Sequence, residues 1–547
     1  MKLAFVAVLA LVLASPAVAG GWTTPKGTAN SVVSPPVTGG GYLDPPGSNA
    51  PVAGQCGPVA FNSNRSESWL AVQPGTENVV GASKFFVDRY STFYNFHLGS
   101  YTIAAGKLLA TNQVQGYDCV STGTQAMPPS WTNDTGPNVA FDTQGRVYQV
   151  TLPFNAYWAN LHPNGAIGIS YSDDLGRHWV TGNGGDFLEQ SPNQTSLTLG
   201  HVEDKQWVAV DHFPMSAYHD HVYAMWTVFN GSNGNGKLRV AVSRDRGATF
   251  SKPVDLPTPN YTTPATTYVY PSVAPDGTVY VAFVGGYDTK NKNRTGAVYV
   301  TKSTDDGRTW GPFVQAAVPV ENPNGFFANT SFRDGIIEAF AASETYPGHA
   351  YLAYENWDAA AGTSDVYLTQ TVDGGNTWSA PIRVNDDAGT ASSDQFQPSV
   401  AAGSGGAVAV AFYDRRASCP TDSSVLAGHR GASNTCIDVT VQAYRDTGGG
   451  AVAVGGNVRA SQYSWDPDQP GQTVGGLSQY PCAGHRDPCS PGRGFIGDYF
   501  GLAVSDGDIY TLSVSTHYPS SVAADDGAPV YYQQQVLGAI PRGSVGL

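Results

Sequence analysis

Two stretches of the chain put polar side chains close enough to do chemistry. "STDDGRTW", Ser303 to Trp310, packs a hydroxyl, two carboxylates, a second hydroxyl and an indole into eight residues. "DHFPMSAYHDH", Asp211 to His221, holds His212, His219 and His221. A carboxylate beside hydroxyls suits acid–base work, or a turn in which the carboxylate accepts backbone N–H groups. Histidines two apart on a strand can face one way, as metal ligands or a base, or they can belong to a polar hairpin loop.

Spacing separates these readings. "SDDLGRHW" from Ser172, "SRDRGATF" from Ser243 and "TVDGGNTW" from Thr371 share with "STDDGRTW" the pattern S/T-x-D-x-G-x-x-W/F, and the four copies recur 71, 60 and 68 residues apart. A catalytic cluster occurs once, whereas a structural turn occurs once per repeat. Asp174, Asp245, Asp305 and Asp373 are therefore expected to accept hydrogen bonds within their own turns. The glycine supplies positive φ, and the aromatic residue packs inward.

A second phrase, strand–tight turn–apolar strand, appears seven times, from "SWLAVQPGTENVVGASKF" to "FGLAVSDGDIYTLSV". Alternating apolar residues with frequent turn signals indicate antiparallel strands. Four strands per unit, repeated radially, predict an all-β fold: a seven-bladed β-propeller, or a six-bladed one if a terminal hairpin is not a full blade.

The first 19 residues carry one lysine, an apolar run and an Ala17-Val18-Ala19 end. They are expected to be a secretory signal peptide. Residues 20–55, rich in Gly, Pro, Ser and Thr, are expected to be a disordered leader, and 56–547 to form the propeller. The protein is thus expected to be secreted and extracellular. Net charge is −15, and only 13% of residues are charged. This disfavours nucleic acid and anionic membranes, while leaving room for a local basic pocket that binds an acidic sugar. Six cysteines in an exported chain suggest disulfides, and proximity pairs Cys419 with Cys436, Cys482 with Cys489 and Cys56 with Cys119. No Cys/His spacing suggests zinc, and no cofactor is expected.

The four motif copies resemble the Asp-box, or bacterial neuraminidase repeat, of the sialidase-like superfamily, and the repeat extends over nearly all of the chain beyond the leader. A degenerate fifth copy, "YRDTGGGAV", starts at Tyr444. The resemblance implies that the boxes sit between the third and fourth strands of a blade, away from catalysis. A site would then lie on the opposite face, where second strands end and first strands begin.

On that face the resemblance implies three arginines that clamp a carboxylate, here Arg65, Arg333 and Arg415. It also implies an acid/base aspartate, Asp88, and a Tyr499–Glu321 nucleophile pair. The chemistry is coherent. Guanidinium binds carboxylate bidentately, and a neutral tyrosine approaches an anionic anomeric centre with less repulsion than a carboxylate does. "FYDRR" and "GDYFG" can equally be strand ends bridged by Asp–Arg pairs. The implied activity is that of a glycoside hydrolase, an exo-alpha-sialidase acting as a monomer on a glycan or polysaccharide. A polysaccharide lyase using a His or Tyr base, with His517 on the same face, and a non-catalytic glycan- or protein-binding propeller are the alternatives.

Overall fold

The computed structural model describes residues 22–34, 64–86, 96–104, 107–113, 133–155, 164–191, 201–230, 235–257, 267–285, 296–330, 332–335, 338–387, 393–474, 477–478 and 494–547. They form seven antiparallel sheets in a ring, a seven-bladed propeller. The innermost strands, one per blade in chain order, are Arg65–Val72, Asn133–Phe141, His201–Val210, Thr267–Val273, Glu338–Ala342, Gln395–Gly403 and Gly501–Val504. Each pairs antiparallel with the next strand of its blade. In blade two the outermost position is shared by Val180–Thr181 and Glu189–Gln190.

Apolar side chains from neighbouring blades interleave. Tyr223, Met225 and Val240 of blade three belong to one buried cluster with Val279, Val281 and Phe283 of blade four. Blades buried on both faces explain why the second strands, such as Val279–Gly285 and Ala407–Asp414, are buried along their length and apolar but for Asp414 at the end of the latter.

All four S/T-x-D-x-G-x-x-W/F segments lie between the third and fourth strands, or their equivalent, of a blade. In the Ser303 copy the serine hydroxyl donates to Asp305 Oδ1 (2.8 Å), and the Gly307 N–H donates to the serine oxygen (2.9 Å). Thr309 donates its N–H (2.8 Å) and hydroxyl (2.6 Å) to the two Asp305 oxygens. Asp174, Asp245 and Asp373 accept the same serine or threonine hydroxyl, each at 2.8 Å. Gly307 sits at φ +71°. These aspartates are turn-formers.

The ring is closed by a strand that the sequence reading missed. Ala29–Val32, within the stretch expected to be disordered, pairs antiparallel with Gln534–Pro541 and supplies the outermost strand of blade seven. Just before it, the Trp22 indole donates to Thr440 Oγ1 (3.0 Å), and the Arg416 and Arg459 guanidiniums lie 5.2 and 5.3 Å from its ring centre. An edge strand needs backbone partners more than an apolar face, so a polar, proline-rich composition did not forbid it. The signal-peptide segment and the rest of the leader lie outside the described residues. Cys419 and Cys436 form a disulfide (2.04 Å); the other two expected pairs also lie outside the described residues.

Candidate active site

The first strands of five blades break their pairing at equivalent places near the strand start: Ser66/Trp69, Thr135/Asn138, Asp204/Trp207, Thr267/Tyr270 and Phe396/Ser399. Each bulge carries a residue at positive φ: Glu67 (50°), Gly136 (63°), Lys205 (53°), Tyr268 (57°) and Gln397 (45°). Four of the five are not glycine, at a cost of roughly 1–3 kcal/mol each. Bulges re-aim side chains. These turn polar groups towards the face opposite the Asp305-type turns.

A connected charge network results. Arg333, ahead of the first strand of blade five, donates Nε (2.9 Å) and Nη2 (2.6 Å) to the two oxygens of Asp498, ahead of the first strand of blade seven. Lys205 Nζ reaches the same carboxylate (2.7 Å). Glu67 pairs with Lys84 (3.1 Å) and accepts from the Thr135 hydroxyl (3.1 Å). Phe495 lies under both cations, 4.0 Å from Lys84 Nζ and 4.7 Å from the Arg333 guanidinium carbon. Gly335 makes the approach possible, because a Cβ there would stand 2.4 Å from the Asp498 carbonyl oxygen.

Burial disfavours the Asp498 charge, yet Arg333 and Lys205 hold its carboxyl well below the usual range. Around blade five the balance reverses. Burial, with Asp334 behind it, pushes Glu321 up to about 8. Burial likewise raises Asp334, Glu355 and Glu338. Both Glu338 carboxyl oxygens are buried without a hydrogen-bond partner. Asp498, its charge held by two cations, thus contrasts with carboxyls whose charge burial disfavours, the kind of split that acid catalysis uses.

Beneath this network four aromatic rings plug the axial channel. Trp207 contacts Trp69 (4.5 Å), Tyr270 (4.3 Å) and Tyr499 (5.2 Å). A small cavity of about 30 Å³ on the polar side is lined by Glu67, Lys205, Tyr268 and Tyr499. The larger cavity, about 370 Å³, lies on the other side among apolar strand residues and opens past His212 and Glu344. It is the channel, and the charged chemistry is not in it.

Not all the expected residues converge. Arg333 and Tyr499 reach this region, whereas Glu321 interacts with Asp334 and Glu338 beside blade five. The Tyr499 hydroxyl, however, donates to the Pro137 carbonyl (3.1 Å), and burial pushes its phenol well up. Arg65 is buried, with its guanidinium 5.9 Å from the Tyr101 ring centre. Arg415 is fully buried, bonded to Asp394 (3.1 Å) and the Ala328 carbonyl (2.8 Å). Both are enclosed by the packing of their own surroundings. Asp88 lies outside the described residues. The histidines of "DHFPMSAYHDH" disperse: His212 to Glu344 (3.3 Å), His219 to the Ser216 carbonyl (3.1 Å) and His221 to Asp306 (2.7 Å). Among the described residues one group, His429, Asp466 and Asp468, is compact enough to consider for a metal. Asp466 there already accepts from the Leu426 N–H (3.0 Å), His429 (2.9 Å) and the Asp468 N–H (2.9 Å), as a loop organiser does.

Sequence reasoning passed over Glu67, Lys84, Lys205 and Tyr268. A signal existed. In Glu67-x-Trp69, Lys205-x-Trp207 and Tyr268-x-Tyr270 the bulged residue stands two places before a ring of the plug.

No protein-family model matches the chain, and no curated protein matches it. Similar solved structures include a Hadza microbial sialidase, with 14% identity over 71% of this chain and 64% of that one at a TM-score of 0.36. The chain thus spans about 64% of that sialidase's length. They also include an alpha-L-arabinofuranosidase from Fusarium graminearum (13% identity, 75% and 93% covered, TM-score 0.36) and a polysaccharide lyase (10%, 95% and 99%, 0.43). Likenesses this distant do not bear on chemistry.

Proposed function

We propose that this protein is an exported glycan-cleaving enzyme that acts on an acidic sugar at the mouth of the propeller, with glycoside hydrolysis as the reaction and sialidase activity as its narrowest form. The observation that carries the reading is the sharing of Asp498 by Arg333 and Lys205 above a floor of rings. Arg333 keeps 43% of its side chain exposed, and its Nη1 is left for a substrate carboxylate. The Lys205 ammonium adds charge beside it. Glu321, whose carboxyl is pushed up to about 8, is the proposed general acid for the leaving-group oxygen. Asp88, in the link after the second strand of blade one, is the proposed partner carboxylate.

This assigns Glu321 a different role from the one the resemblance implies. A glutamate held protonated donates a proton and does not take one from tyrosine, so Tyr499 is assigned to the plug. Export is supported by the N-terminal sequence and the Cys419–Cys436 disulfide. Among the described residues no helix is long and apolar enough to cross a membrane.

A second reading has its own observation. Lys205 Nζ lies 5.5 Å from the Tyr268 ring centre. That suits an elimination in which cations neutralise a uronate, the Tyr268 phenolate takes the proton beside the carboxylate and the glycosidic oxygen leaves from the next carbon; burial, which pushes this phenol up to about 12 despite Lys205, opposes it. Incubation with sialylated and uronate-containing glycans decides. New reducing ends without unsaturated sugar support hydrolysis, ultraviolet-absorbing unsaturated ends support elimination, and binding without cleavage sinks both.

A further inference from the structure

One aromatic group stands apart from the plug. Tyr463, 40% exposed, stacks on His517 with ring centres 3.9 Å apart and planes 9° from parallel. Tyr518 stands across the edge of both rings, at 84° to Tyr463 (5.8 Å) and 88° to His517 (5.2 Å). His517 Nδ1 is buried without a hydrogen-bond partner, so the imidazole contributes mainly its flat face. One face of Tyr463 is covered and its edge is braced, which leaves the outer face to solvent. The base is fixed as well. The Gln462 N–H donates to Asn30 Oδ1 (2.8 Å), and Asn30 Nδ2 donates to the Ala460 carbonyl (2.9 Å), locking the segment to the ring-closing strand.

The position gives the platform its meaning. Tyr463 lies near the start of the link from the last strand of blade six, Ala451–Arg459, to the first strand of blade seven, Gly501–Val504, and Asp498 lies near its end. His517 follows the second strand of blade seven, Asp508–Ser515. Both therefore lie on the face that carries Arg333 and Lys205. A flat ring held in place loses little entropy on binding and offers its apolar face to the C–H face of a pyranose.

We infer that Tyr463, backed by His517 and Tyr518, is an outer sugar-binding subsite, and that the substrate is a polysaccharide chain lying from the blade six–seven rim to the mouth. This rests on the proposed glycan-cleaving site and adds that the substrate is a polymer. A lone terminal sugar would never reach the rim.

The test uses the full chain and its Tyr463→Ala and Tyr463→Phe variants. Binding is read by retardation in native gels cast with polysialate or polygalacturonate. Turnover is read on short fluorogenic glycosides of the same acidic sugars. Tyr463→Ala should weaken retention on one of the polymers about tenfold, the weight of one aromatic face. Tyr463→Phe should retain it, and turnover of the short glycosides should be unchanged in both. Wild type unretained on either polymer, Tyr463→Ala retained like wild type, or an equal loss on the short substrate would each overturn the subsite. A platform that passes while Arg333→Ala leaves turnover intact would instead overturn the reading of the mouth.

Discussion

Arg333 grips both oxygens of Asp498, joining blade five to blade seven across the mouth of the propeller at 2.9 and 2.6 Å. The pair does two things. It neutralises a carboxylate that is only 4% exposed, and it holds a guanidinium whose side chain stays 43% exposed. Lys205, from blade three, completes the bridge. Three blades thus meet at one carboxylate.

This pair sets an acid limit on stability. The folded-state Asp498 carboxyl is depressed by Arg333 and Lys205 against the cost of burial. Its stabilisation is therefore present above about pH 4 and is lost as pH falls below that value. Asp498→Asn should flatten the loss of stability on acidification, as urea unfolding over a series of pH values would show. An unchanged slope would remove Asp498 from the acid response.

Glu321 makes the opposite prediction. Its carboxyl is raised to about 8 by burial and Asp334, so the fold is favoured by the proton. Its contribution should decline as pH rises from about 4.5 through about 8. As general acid it should also give kcat an alkaline limb near pH 8. Glu321→Gln should lower kcat by about 10²–10⁴-fold on a substrate with a poor leaving group and abolish that limb. A full-activity Glu321→Gln enzyme would exclude it as the acid.

Adjacent aspartates in "STDDGRTW" should behave differently. Asp305 is bonded within its own turn, and its removal should cost about 1–2 kcal/mol. Asp306 is fully buried and accepts from His221 (2.7 Å), Tyr223 (3.0 Å) and the Arg244 guanidinium of blade three. Asp306→Ala leaves buried polar groups unpaired and should cost about 3–5 kcal/mol. Denaturant midpoints compare them directly; equal losses would refute the assignment. Neither change should alter the mouth.

Removing residues 20–34 should lower the melting temperature, because blade seven would lose its outer strand and the contacts of Trp22 with Arg416, Arg459 and Thr440. Trp22→Ala should give a smaller loss of about 1–2 kcal/mol. A truncated chain as stable as the full one would mean that the strand is not a clasp.

The blades were legible because four of the seven repeat one physical device, an aspartate that satisfies its own turn with a glycine at positive φ and an aromatic residue, and all seven repeat the paired-strand phrase. Strand order alone puts Arg333 on the face opposite the Asp305-type turns, where it meets Asp498. Arg65 and Arg415 satisfied the same rule and still point into packed protein, since strand order assigns a face but not a direction. The bulges explain most of the rest. One extra residue reverses the alternation of a strand, so Glu67 and Lys205 could not be assigned to the mouth by counting. Ala29–Val32 was hidden because its partner, Gln534–Pro541, lies at the far end of the chain.

The most direct test is kcat/KM for wild type and Arg333→Ala on two fluorogenic glycosides that differ only in whether the sugar bears a carboxylate. Wild type should prefer the acidic sugar, and Arg333→Ala should lose about 10²-fold or more on that substrate alone, as removal of a charge-assisted hydrogen bond from Nη1 to the substrate carboxylate should cause. Equal activity of the two proteins on the acidic sugar, or an equal loss on both substrates, would contradict it.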